Sequence, residues 1–164
     1  MNEKELEVLR CLDDDARLST ETIAKMIGIS QEETEEIIQK LENDNVIAGY
    51  NTVINWRNTG IEEGVTAMID VKVTPKREVG FDDIAKRIYR YPEVQSVYLM
   101  SGAYDLSVVV AGKSVSEVGL FVSEKLSTLD SVISTTTHFI LKKYKHDGTI
   151  FDSNDKDRRI VVSP

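Results

Sequence analysis

The chain has 164 residues, 41% hydrophobic and 29% charged, the balance of a folded globular protein rather than a disordered one. No apolar run approaches a membrane span and the opening MNEKELEVLR lacks a signal peptide's apolar core, so no membrane partner and a cytoplasmic location are expected. The formal net charge is −8, and residues 1–50 hold all of the excess: five Lys/Arg against thirteen Asp/Glu, with fifteen of each in residues 51–164. Along the chain, Asn2-x-x-Glu5 reads as a capping box opening a helix with Leu6, Leu9 and Leu12 on one stripe. Cys11 falls in this apolar row; as the lone cysteine it forms no internal disulfide, and a core residue is expected rather than a reactive thiol.

Ser19 or Thr20 caps a second helix with Ile23, Ala24 and Ile27 apolar, and Gly28 marks the turn that follows. Ser30-x-x-Glu33 caps a third helix burying Ile37, Ile38 and Leu41. Two short helices around a glycine turn have the grammar of a helix-turn-helix. Residues 45–50 look like a turn entering a short strand, the start of a wing, and a further strand is expected around Thr52–Ile54. Residues 51–63 read as a linker in which Trp56 packs the chain onto a domain or a second subunit.

The period then changes from 3.6 to 2. Val65, Ala67, Ile69, Val71 and Val73 alternate with Thr66, Met68, Asp70 and Lys72, a strand stopped by Pro75. Phe81, Ile84, Ala85 and Ile88 have helical spacing up to Pro92. Val94–Met100 and Leu106–Val110 read as strands joined at Ser101-Gly102-Ala103-Tyr104, a tight hairpin with glycine first as a type II′ turn requires. Ser114-x-x-Glu117 caps a helix carrying Val118, Phe121, Val122 and Leu126, and Val132–Tyr144 reads as a fourth strand. The order β-α-β-β-α-β is the ferredoxin-like split unit, placed at residues 64–145. Its helices cover one sheet face; the other, expected to carry Met68, Tyr98, Met100 and Val109 or the residues that alternate with them, is too apolar to leave in water, so a second subunit's sheet is expected to cover it. Residues 146–164 read as a polar tail in which Ile160-Val161-Val162 could add an edge strand. The fold class is α+β, a winged helix-turn-helix domain at 1–50 followed by the ferredoxin-like domain.

This order resembles the leucine-responsive/asparagine (Lrp/AsnC, feast/famine) transcription regulators. The resemblance rests on Asp15-Ala16-Arg17-Leu18-Ser19, on Ile23-Ala24-x-x-Ile27-Gly28-Ile29-Ser30, on Leu41-Glu42-x-x-x-Val46-Ile47-x-Gly49-Tyr50 and on Ser101-Gly102-Ala103-Tyr104-Asp105. It implies a dimer, often assembled to octamers, that binds double-stranded DNA and responds to an amino acid at its C-terminal sheets. One departure stands out: the family's recognition helix usually carries several arginines, and here Lys40 is the only cation between Gln31 and Glu42.

In helix-turn-helix docking the start of the second helix reaches base edges in the major groove. With Ile37, Ile38 and Leu41 inward, Gln31, Glu32, Thr34 and Glu35 are expected to face out. Gln31 suits adenine, Thr34 a thymine methyl, and Glu32 or Glu35 a cytosine amino group. Ser19, Thr20, Lys25, Ser30 and Lys40 are candidates for the backbone phosphates. Against this stands the acid-rich first turn, which favours the helix dipole and serves folding alone equally well.

A zwitterionic effector needs an anion for its ammonium group and N–H donors for its carboxylate. Asp105 suits the first and the turn Ser101, Gly102 and Ala103 the second, with Tyr104 closing the pocket. Thr135, Thr137 and His138 match positions that line the family's ligand pocket. The plainer reading of Asp105 is an acid flanking a turn. No metal, cofactor or catalytic residues are expected: His138 and His146 lack metal-site spacing, and no Ser-His-Asp, phosphate-loop or dinucleotide pattern occurs. Two rivals remain, a protein-interaction or sensor module that docks a basic partner on the acidic helix, and a haem-pathway decarboxylase-like protein resting on His138.

Overall fold

The structure, a computed structural model, describes residues 1–61, 63–74 and 80–151. The chain divides into two units, Met1–Thr52 and Val53–Pro164. The first holds α1 (Glu3–Asp14), α2 (Thr20–Ile27) and α3 (Gln31–Asn43). All three starts follow local chemistry. Asn2 Oδ1 accepts the Glu5 N–H at 2.8 Å while Glu5 Oε2 accepts the Asn2 N–H at 2.7 Å. The Ser19 hydroxyl accepts the Thr22 N–H at 3.2 Å and that of Ser30 the Glu33 N–H at 3.1 Å. Ser19, rather than Thr20, therefore caps α2. Gly28 stops that helix at φ +76°, a left-handed conformation that strains any L side chain, and its N–H donates to the Ala24 carbonyl at 2.9 Å.

Val8, Ile23, Ile37 and Leu41 form the buried centre of this unit, with Leu9, Cys11, Leu12 and Ile47 among the side chains packed around it. Burying each large aliphatic contributes about 1.5–3 kcal/mol. The expected wing strand is absent: among the described residues, 45–54 form no strand. The Val46 and Ile47 N–H groups instead turn back to the Leu41 carbonyl, at 2.9 and 3.1 Å, and Ile47 joins the helical core. A segment that uses its donors to close a helix has none left for a ladder.

The second unit contains β1 (Val65–Val73), α4 (Phe81–Ile88), β2 (Val94–Leu99), β3 (Leu106–Gly112), α5 (Val115–Leu120) and β4 (Val132–Phe139). α5 continues as a π-helical turn, Phe121–Leu126. The sheet order is β2-β3-β1-β4 with every neighbouring pair antiparallel, the split arrangement read from the sequence. Ala67, Ile69, Val71 and Val73 of β1 and Leu106, Val108 and Val110 of β3 are buried with Ile84, Ile88, Val118, Phe121 and Leu126 of the helices. Gly64 precedes β1 at φ +77°, where an added Cβ would lie 2.6 Å from the Gly112 carbonyl oxygen. No larger residue fits there.

Three sequence expectations are corrected here. The β2–β3 connection is a four-residue loop, Ser101–Tyr104, closed by the Met100 N–H on the Asp105 carbonyl at 2.8 Å. Gly102 is not among the glycines of positive φ, so it does not form the expected type II′ turn. The fourth strand ends at Phe139 rather than Tyr144, because its partner β1 runs out: Phe139 pairs with Ala67, and Ile140 makes the last bond, to Thr66. The start of the expected polar tail forms a small hairpin, β5 (Lys145–His146) with β6 (Thr149–Ile150). Pro75 and Ile160–Val162 lie outside the described residues.

The expected linker is partly built. Trp56–Thr59 form a 3-10 turn, the Asn55 amide donates to the Phe151 carbonyl at 3.0 Å, and Lys143 pairs with Glu63 at 2.5 Å. Trp56, Leu141 and Phe151 border a pocket of about 200 Å³.

Candidate nucleic-acid interface and sheet face

Helix α3 turns Gln31, Glu32, Glu35 and Glu36 outward. Thr34 is the exception: it is fully buried, and its hydroxyl donates to the Ser30 carbonyl at 3.0 Å. It stands three residues before Ile37 and seven before Leu41, so the helical period puts it in the inward row. Thr34 is thus removed from the set of base-facing residues. Glu35 Oε1 accepts from the Gln31 amide at 2.7 Å and from the Thr20 hydroxyl at 3.1 Å, which brings three candidates together and ties the start of α2 to α3.

The two candidate cations are engaged within the protein. Lys25 pairs with Glu21 one turn back, at 2.5 Å. Lys40 reaches across to α1 and pairs at 2.5 Å with Glu5, a residue only 4% exposed. The Lys40 hydrogen bond, helped by the Asn2 N–H, holds the Glu5 carboxyl below its usual range, and Glu5 raises the Lys40 ammonium in turn. Lys4 pairs with Glu33 at 2.6 Å. Arg10 and Arg17 are exposed and carry no ion pair among the described residues. Ser19 and Ser30 use their hydroxyl oxygens as acceptors for the caps. The Ser30 O–H proton is left to donate to an anion, whereas the Ser19 hydroxyl also lies 2.8 Å from that of Thr22.

In the second unit the ladder sorts the candidates by face. Directly opposed residues share a face and successive residues alternate. Thr135 pairs with Val71 and Thr137 with Ile69, so both belong to the helix-covered side. Thr136 pairs with Asp70 and His138 with Met68, on the open side. Thr135 and Thr137 therefore cannot line one site with His138. The expectation that they do is corrected by the period of two.

On the open face the Tyr104 hydroxyl lies 2.7 Å from that of Thr136, and His138 Nε2 lies 3.2 Å from Asp70 Oδ2. Asp70 and Thr136 were missed in the sequence, although Thr136 shares its parity with His138 and Asp70 stands in the polar row of β1. Asp105 Oδ2 accepts the Val73 N–H at 2.9 Å and Oδ1 lies 3.4 Å from Lys72 Nζ, while its own N–H donates to the Val71 carbonyl at 3.0 Å. Asp105 thus fastens the loop to β1. Ser101, Gly102 and Ala103 are exposed at the loop tip.

Between these polar pairs the face is apolar. Met68 is 41% exposed, Tyr98 53% and Met100 49%, with Val109 half-buried beside them. Ser107, opposite both Asp70 and Tyr98, is 2% exposed, and among the described residues its hydroxyl has no hydrogen-bond partner. Among the described residues no three His, Cys, Asp or Glu side chains gather as metal ligands, and no helix is long and apolar enough to cross a membrane.

Known proteins share both units. The Lrp/AsnC ligand binding domain matches residues 66–150, and the winged helix-turn-helix DNA-binding domain matches residues 1–48. An uncharacterized HTH-type transcriptional regulator of Bacillus subtilis (strain 168), YugG, is 65% identical over 164 residues, covering 100% of this chain and 99% of its own. The leucine response regulatory protein of Mycobacterium tuberculosis superposes with a TM-score of 0.74 at 22% identity, over 93% of this chain and 100% of its own. A Neisseria meningitidis transcriptional regulator in complex with L-Met does so with a TM-score of 0.70 at 20% identity, over 89% and 93%. A helix-turn-helix unit matched at 1–48 and a split-sheet unit matched at 66–150, with a relative 65% identical over the whole chain, show that this protein belongs to the Lrp/AsnC family of transcriptional regulators.

Proposed function

We propose that the protein works as a homodimer in the cytoplasm, closed by the open sheet face, that presents paired α3 helices to double-stranded DNA and takes an amino acid at the Ser101–Asp105 loop. It acts by binding and performs no reaction. The observation that carries this reading is the row Met68, Tyr98 and Met100, three large side chains exposed on a sheet face whose Ser107 hydroxyl is buried and unpaired. Large apolar side chains left exposed on one sheet face favour association, and a two-fold pair of sheets covers them with one self-complementary surface. Dimers or octamers offer several α3 helices at once, which raises the effective concentration of a weak reader.

The effector reading draws on the loop. Ser101, Gly102 and Ala103 are exposed residues whose backbone N–H groups would suit a carboxylate. Asp105 Oδ1, whose one contact is the 3.4 Å approach of Lys72, suits an ammonium group. The Neisseria relative bound to L-Met supports an amino acid as the class. At the DNA side, Gln31, Glu32 and Glu35 would meet bases, and Ser30, Arg10 and Arg17 phosphates.

The test is gel retardation of the gene's own upstream DNA over a salt series, with wild type beside Met68→Glu/Tyr98→Glu. Retardation by the wild type that weakens with salt, and its loss in the monomeric variant, is the expected result. No retardation at the lowest salt would defeat the DNA reading. A second reading, a basic protein docked on α3, draws on the engagement of Lys25 and Lys40 by Glu21 and Glu5. Salt-sensitive capture of such a protein without DNA binding would favour it.

A further inference from the structure

Among the described residues the same open face holds one imidazole, His138, and imidazole is the side chain through which proteins respond to mild acid. Its Nε2 lies 3.2 Å from Asp70 Oδ2, and its ladder partner is Met68, at the edge of the apolar row. Resting on the dimer proposed above, we infer that His138 and Asp70 make the subunit interface proton-linked, so that the dimer tightens as pH falls through the histidine range.

The chemistry follows from the neighbours. Among the described residues β4 is an edge strand, and β1 is the one strand packed beside His138. From β1 the charged groups on the open side are Asp70 and Lys72, and Lys72 is turned to Asp105 at 3.4 Å. Asp105 shares this face and is held by the Val73 N–H and Lys72; the other titratable side chains there among the described residues are the phenols Tyr98 and Tyr104, and Tyr104 is bonded through Thr136 of β4. Asp70 is therefore the charge that faces His138, and no cation besides the imidazolium pairs with it among the described residues.

Asp70 is already 30% exposed and His138 57%. Covering the face with a second sheet removes water from both. A carboxylate beside a neutral imidazole then loses hydration with only one neutral hydrogen bond in return. Beside an imidazolium it forms an ion pair, which is the cheaper group to bury. Protonation and association thus favour each other, and by linkage each dimer takes up protons at its two His138 side chains.

Sedimentation equilibrium at about pH 5.5 and about pH 8 reads the effect. A dimer Kd lower by about tenfold or more at the acid end is expected, since each proton taken up on association changes the equilibrium by up to about tenfold per pH unit. His138→Gln keeps a neutral hydrogen-bonding side chain and should erase the dependence while the chain remains a dimer. Asp70→Asn should erase it as well. Equal Kd values at both pH values in the wild type, or a dependence that survives in His138→Gln, would overturn the linkage and leave the dimer standing. A monomer at both pH values would remove the dimer itself. Far-UV circular dichroism of each variant confirms that the strands are intact.

Discussion

The two units solve the same packing problem with different information. The N-terminal unit carries the whole net charge of −8, buries a small aliphatic centre of Val8, Ile23, Ile37 and Leu41, and draws its element boundaries from neighbours three residues apart: Asn2 with Glu5, Ser19 with Thr22, Ser30 with Glu33. The C-terminal unit is neutral in sequence and, among the described residues, buries thirteen hydrophobic residues against five. Its contacts join strands far apart in the chain, such as Val71 with Leu106 and with Thr135. Local signals suffice where a helix is the element, because the 3.6-residue period and its caps are short-range. A sheet's functional face depends on register, and register is set by residues seventy positions away.

The sharpest way to break this division is to damage one core and watch the other. Ile88→Ala should cost about 2–5 kcal/mol in the C-terminal unit. Urea unfolding followed by Trp56 fluorescence, the lone indole and a resident of that unit, should shift accordingly. Ile23→Ala should cost a similar amount in the N-terminal unit and leave the Trp56 transition in place, moving only part of the helical circular dichroism. A shared shift in both variants would mean that the units unfold as one.

Next in size is Asp105. Its removal as Asp105→Ala strips the Val73 N–H of its acceptor, with an expected cost of about 1–3 kcal/mol. Asp105→Asn keeps an acceptor and should cost less. If Asp105 serves only an effector, both variants would instead unfold like wild type in the absence of ligand. In the N-terminal unit Ser30→Ala should cost about 1 kcal/mol, the value of a helix cap, and Thr20→Ala less, because Thr20 does not cap α2.

The smallest effect distinguishes the units by pH. Lys40 and the Asn2 N–H hold Glu5 below the ordinary glutamate value near 4.5, and Lys125 does the same for Glu93 in the C-terminal unit. A carboxyl depressed by folding contributes stability that is present above that value and is lost as the pH falls through the lower, folded one. Acid titration of stability below about pH 4.5 should therefore show a component in each unit. Lys40→Met should shrink the N-terminal component and leave the Glu93 component unchanged.

Legibility in the sequence followed the same split. The three capped helices, the turn at Gly28, the strand Val65–Val73 and the β-α-β-β-α-β order were all readable, because each depends on spacing within a dozen residues. The wing strand was not, since Val46 and Ile47 look like strand residues until the Leu41 carbonyl takes their N–H groups. At the candidate site the Ser101–Asp105 segment was readable as a hairpin loop, but its four-residue geometry and the attachment of Asp105 to Val73 were not.

What the sequence by itself determined is the three capped helices and the β-α-β-β-α-β order, with one sheet face apolar enough to call for a partner. Tertiary structure alone decided which polar residues meet. It set Thr136 and His138 beside Tyr104 and Asp70 while turning Thr135 and Thr137 away, and it drew Lys40 from α3 to the nearly buried Glu5 of α1. The physical reason is that periodicity assigns a side chain to a face, whereas a partner is chosen by strand register and helix packing, which only the folded chain possesses.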